Sequence, residues 1–224
     1  MTSTLLDTIE LESAPNPTAA VIWMHGLGAD GNDFVPIVKE LNLDGCPAIR
    51  FVFPHAATMP VTINGGYVMR AWYDILGTDI AKREDEAGLR LSQKNIEQLI
   101  AREIARGIPA NRIILAGFSQ GCAMALQVGL RYSEKLAGLL CLSGYVPLRD
   151  AVSNERHGAN HDTPIYLAHG RADPVIPLQR AEQSRDLLLE LGYKIEWHEY
   201  KMQHSVCEEE IHDMSAWLKK VFQP

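Results

Sequence analysis

The segment IILAGFSQGCAM, residues 113–124, sets one serine between two glycines at the end of an apolar run. Gly117, Ser119 and Gly121 form G-x-S-x-G, and the flanks read as strand before and helix after. In that context the motif is a sharp corner that exposes the serine hydroxyl. A serine hydroxyl is a poor nucleophile at neutral pH. It needs a histidine to take its proton, and a carboxylate to fix the imidazole tautomer and stabilise the imidazolium. With ten serines and 17 glycines in 224 residues the motif arises by chance roughly 0.06 times, so its partners decide the matter.

The required chain order is serine, acid, histidine. Asp173 lies five residues beyond the apolar stretch IYLA, in a loop stiffened by Pro174 and Pro177, and His204 lies between the last strand-like and last helix-like runs. Both positions let a side chain converge on Ser119. The rivals fit less well. His169 ends a strand and reads as structural; His198 alternates with Lys194 and Glu196 and so faces solvent. His55, His157 and His161 sit in loops or polar connections, and His212 is on the closing helix. Asp150 and Asp162 precede the strand that should carry the acid.

Acyl transfer also needs donors for the oxyanion. HGLGAD (25–30) is similar to the loop that supplies one backbone N–H, the residue after the nucleophile supplying the other. This assigns the hole to the main-chain amides of Leu27 and Gln120, whose side chains then matter little. The stretch 59–77, MPVTINGGYVMRAWYDILG, is apolar for a loop. Two readings stay open: a small hairpin packed on the core, turning at Gly65 and Gly66, or an acyl groove beside Ser119 lined by residues such as Met69, Trp72 and Ile75.

The elements that must position these groups alternate short apolar runs with longer amphipathic ones. Strands are expected over 5–11, 19–25, 48–53, 112–116, 136–142, 165–168 and 194–200, and helices over 32–41, 92–106, 120–132, 178–191 and 206–222. Ile96, Leu99, Ile100 and Ile104 form a 3.6-residue stripe, as do Met214, Trp217, Leu218 and Val221. RIILA and LAGLLCL are continuously apolar, the mark of parallel strands covered on both faces. The polar stretch 151–163 reads as a surface connection, and no linker or repeat divides the chain, so residues 1–224 are expected to form a single α/β domain.

A net charge of −7 argues against a nucleic-acid partner. The N-terminal residues carry acids among their leucines and no basic region, so they do not read as a secretory signal. No apolar run approaches the length of a membrane span. Cys46, Cys122, Cys141 and Cys207 lack metal-ligand spacing, so no metal site is expected, and reduced thiols fit a cytoplasmic protein.

With HGLGAD, AWYDI, GFSQG, GRADPVIP and MQHS in this order, the chain resembles the carboxylesterase, lysophospholipase and acyl-protein thioesterase family over nearly its whole length. PVTINGGYVMRAWYD looks closest to the bacterial carboxylesterases. The resemblance implies an α/β-hydrolase fold without a large cap, no cofactor, frequent homodimers and a small-molecule ester or thioester substrate. It carries the triad to Ser119, Asp173 and His204 and the oxyanion amides to Leu27 and Gln120. It also supports Trp72 at the acyl site and makes Asp74 structural. Short to medium acyl chains are expected, with long-chain thioesterase or lysophospholipase activity as the alternative. A hydrolase-like protein that binds a ligand without turnover is the competing reading.

Overall fold

The computed structural model describes residues 5–77 and 84–223, so the first four residues of the N-terminal stretch lie outside it. Five strands are wholly buried: β2 (Ala19–Met24), β3 (Ile49–Pro54), β6 (Ile113–Phe118, save its last residue), β7 (Gly138–Leu142) and β8 (Ile165–Gly170). With β1 (Thr8–Glu12) and β9 (Ile195–Tyr200) they form a seven-stranded sheet in the order β1-β3-β2-β6-β7-β8-β9. Only β1 runs antiparallel, against β3. The continuously apolar strands are thus parallel ones buried on both faces, as their composition demands.

Strand alternation sorts the side chains between two cores. Ala20, Ile22 and Met24 point to the face covered by α2 (Glu86–Ala105), α3 (Gln120–Gly129) and α5 (Leu178–Glu190). Val21 and Trp23 point to the face covered by α1 (Ile37–Glu40) and α6 (Glu208–Phe222). A two-stranded antiparallel hairpin, β4 (Thr58–Val61) and β5 (Tyr67–Arg70), stands apart from the main sheet.

Several expectations are corrected. The helix expected over 32–41 is reduced to α1, because residues 30–37 turn through i→i+3 bonds such as Val35 N to Asn32 O. Pro36 has no N–H and disfavours helical backbone at Val35. Helix α2 begins at Glu86 rather than 92, capped by Asp85 accepting from the Gly88 amide. Helix α3 ends at Gly129, short of Tyr132. The polar stretch 151–163 holds α4 (Val152–Glu155) and a buried residue, Asn160. The Asn160 amide accepts from Leu136 N and donates to Tyr132 O and Glu134 O, which ties down the chain entering β7. His198 does not face solvent freely. Its ring stacks on Tyr166 and Tyr200, with Asp213 of α6 3.4 Å from Nδ1, because α6 covers that face of the edge strand.

Candidate active site

Strands β6, β8 and β9 end at the same edge of the sheet, with β7 between the first two, and each is followed by one residue of the site. Ser119 follows β6 with φ 56° and ψ −116°, a conformation that side-chain-bearing residues rarely adopt. The flanking glycines are required by contact. A Cβ on Gly121 would fall on the Met24 carbonyl, and one on Gly117 would fall on the backbone of Gly121.

His204, in the loop after β9, brings Nε2 to 2.9 Å from Ser119 Oγ and Nδ1 to 2.7 Å from Asp173 Oδ2. A carboxylate only accepts, so Nδ1–H donates to Asp173 and Nε2 is left to accept the serine hydroxyl. The other carboxylate oxygen, Asp173 Oδ1, accepts from the amides of Val175 and Ile176 at 2.8 and 2.9 Å. The carboxyl is thereby oriented from both sides. Phe118 lies against the His204 ring, centroids 4.7 Å apart.

The loop 25–30 passes beside the serine, where a Cβ on Gly26 would stand 3.5 Å from Ser119 Cβ. Among the described residues the amides of Leu27 and Gln120 have no acceptor, whereas the Gly28 amide donates to Arg70 O at 2.9 Å. The Gln120 amide opens α3, where the helix dipole favours negative charge. Beneath the loop, His25 donates from Nδ1 to Gly26 O at 2.7 Å and accepts the Ala56 amide on Nε2 at 3.1 Å. Burial pushes its pKa down to about 4, so the ring is neutral and acts as a brace.

Residues 59–77 contain the expected hairpin, with Gly65 and Gly66 at positive φ in its turn and Asp74 accepting from Thr62 N at 2.7 Å, but Ile63, Tyr67 and Val68 are exposed rather than packed on the core. Trp72 is not an open groove wall. It is 2% exposed, donates from Nε1 to His25 O at 2.9 Å and from its amide to Gln120 Oε1 at 2.8 Å. Gln120 Nε2 in turn donates to Tyr73 O at 2.8 Å. The Gln120 side chain therefore matters, contrary to the expectation: it clamps the Trp72–Tyr73 backbone, and Trp72 clamps the loop of the other oxyanion amide. Met69 and Ile75 are half-buried. Met69 packs 3.5 Å from where a Gly28 Cβ would stand, while Ile75 packs on the core under α2. Sequence reasoning passes over His25 and the Gln120 side chain because both look like adjuncts of the motifs that contain them.

Residues 8–222 match the family model described as phospholipase/carboxylesterase. The chain belongs to that family. It is 40% identical over 208 residues, 91% of this chain and 92% of the relative, to acyl-protein thioesterase 1 of Yarrowia lipolytica. Among solved structures it resembles Arabidopsis thaliana SOBER1, with a TM-score of 0.86 at 29% identity, covering 92% of this chain and 99% of that one. It also resembles Zea mays acyl-protein thioesterase 2, with a TM-score of 0.85 at 25% identity, covering 97% and 100%. Like other members of the family, the protein is a hydrolase with the α/β-hydrolase fold.

Proposed function

We propose that Ser119 is the nucleophile, His204 the general base and Asp173 its orienting acid, in a single-domain serine hydrolase acting on carboxylic esters and thioesters. The observation that carries this reading is the unbroken chain from Ser119 Oγ through His204 to Asp173, at 2.9 and 2.7 Å. Ser119 Oγ attacks the acyl carbon while its proton passes to His204 Nε2. The amides of Leu27 and Gln120 receive the oxyanion. As the tetrahedral adduct collapses, the imidazolium returns the proton to the leaving alcohol or thiol and Ser119 keeps the acyl group. Water, deprotonated by the same nitrogen, attacks the ester. A second collapse frees the acid and restores the serine hydroxyl.

The substrate proposed is a small-molecule ester of short to medium acyl length. Trp72 and Tyr73 are buried and their backbones bonded, which leaves Met69, beside Gly28, and Phe118, against His204, as apolar side chains bordering the site. The names of the thioesterase relatives favour a second reading, long-chain thioesters carried on proteins. Matched oxygen esters and thioesters from acetyl to palmitoyl test the choice. The highest kcat/KM is expected at short to medium length, and turnover confined to long-chain acyl-proteins would overturn it. A cytoplasmic location and a homodimer belong to this proposal as well. Among the described residues no helix is long and apolar enough to cross a membrane.

Replacing Gln120 by leucine retains the backbone amide but removes both bonds to residues 72 and 73. We expect stability to fall by about 2–4 kcal/mol for two buried groups left unpaired. The displaced oxyanion amides should lower kcat on the order of 10- to 100-fold. Wild-type kcat in a folded Gln120→Leu variant would show that the clamp has no part in the hole.

A further inference from the structure

We propose that His169 is a positioning residue, whose Nε2–H anchors the Ile176 carbonyl of the loop that presents Asp173 and sets its N–H dipole beside the oxygen that His204 uses. This rests on the hydrolase reading above. His169 lies within β8 and is fully buried at 0% exposure. Its Nε2 stands 2.8 Å from Ile176 O and 3.3 Å from Asp173 Oδ2. A peptide carbonyl only accepts, so Nε2 carries the proton and donates it to Ile176 O, while the acid lies beside the same N–H without receiving it. Burial lowers the imidazole pKa, against the pull of Ile176 O and Asp173.

Packing alone does not account for an imidazole here. Nδ1 is buried without a partner among the described residues. An apolar side chain of similar size would avoid leaving that nitrogen unsatisfied. The donors to Asp173 are also divided. Oδ1 is held by two backbone amides, whereas Oδ2 pairs with His204 at 2.7 Å and has only the His169 N–H dipole beside it, 3.3 Å away. Without His169 the Ile176 carbonyl loses its donor, and Oδ2, with no N–H dipole beside it, turns more of its charge on His204. The charged or titratable groups facing His169 are Asp173, His204 and Glu199 of the neighbouring strand. Glu199 is itself engaged by Arg171 and Trp197.

The test is the pH profile of kcat/KM on a p-nitrophenyl ester for wild type, His169→Leu and His169→Gln, with thermal unfolding of each. Leucine fills volume without a donor, and glutamine keeps an N–H near the position of Nε2. His169→Leu should lower kcat about 10- to 100-fold, because a loop freed of its anchor misplaces the acid that orients His204. KM should stay near wild type. The acidic limb should move to higher pH, because unshared carboxylate charge favours the imidazolium. His169→Gln should recover most of the rate and the limb. If His169→Leu does not fold, His169→Phe takes its place. A limb that stays put, or a folded His169→Gln no better than the apolar variant, overturns the proposal. Fluorophosphonate labelling of the wild type separates the two failures. A folded wild type that neither labels nor turns over ester overturns the hydrolase reading and this proposal together. A wild type that labels, with variants whose limb does not move, overturns this proposal alone.

Discussion

Ser119→Ala is expected to lower kcat for a p-nitrophenyl ester on the order of 10⁶-fold, as loss of the nucleophile does where the triad acts as a unit. Its melting temperature should stay close to wild type, because alanine is held at the same φ of 56° and loses only one hydroxyl contact. Ser119→Gly should be equally inactive but more stable. Glycine accepts positive φ without the steric penalty, and roughly 1 kcal/mol released raises the melting temperature by about 2–4 °C in a chain of this size. Paired activity and melting measurements check both variants. Appreciable turnover by Ser119→Ala would remove the serine from the mechanism, and a less stable Ser119→Gly would mean the corner stores no strain.

The second large effect is on folding. Gly121→Ala should cost about 4 kcal/mol or more, a size reserved for a few named causes. The added Cβ would meet the Met24 and His25 carbonyls, which belong to β2 and the loop leaving it. Backbone cannot step aside as a side chain can, so either α3 or the oxyanion loop must move. At about 2–4 °C per kcal/mol the melting temperature should fall by roughly 8–16 °C. Gly158→Ala is the control: nothing lies within 4 Å of its added Cβ, and the change should stay within about 0.5 kcal/mol. Equal melting temperatures for the two variants would contradict the close approach at the elbow.

The three proposed catalytic residues are legible in the sequence because Ser119 and Asp173 follow the ends of apolar strands, His204 lies between the last strand and the last helix, and chain order leaves few alternatives. The same is true of β6, β7 and β8, whose unbroken apolar runs can only be strands covered twice. Other features depend on contacts that local pattern does not carry. His198 alternates with polar neighbours, yet α6 crosses the outer face and brings Asp213 to it. Asn160 looks like surface because its polarity is visible and the four hydrogen bonds of its side chain are not. Trp72 reads as a pocket wall because its size is evident, while its bonds to His25 and Gln120 span 47 and 48 residues.

The base of the proposed mechanism is carried by an edge of the sheet. Strand β9 is an edge, only its last residue is fully buried, and His204 follows it, whereas Ser119 and Asp173 follow strands deep in the stack. Edges open at a lower free-energy cost than centres, in cooperative units smaller than the whole molecule. Release of β9 would take the imidazole from Ser119 and, with the Arg171 N to Tyr200 O and Ala172 N to Met202 O bonds lost, loosen the loop that carries Asp173. Opening of this one margin is therefore enough to end activity while the central strands stay folded.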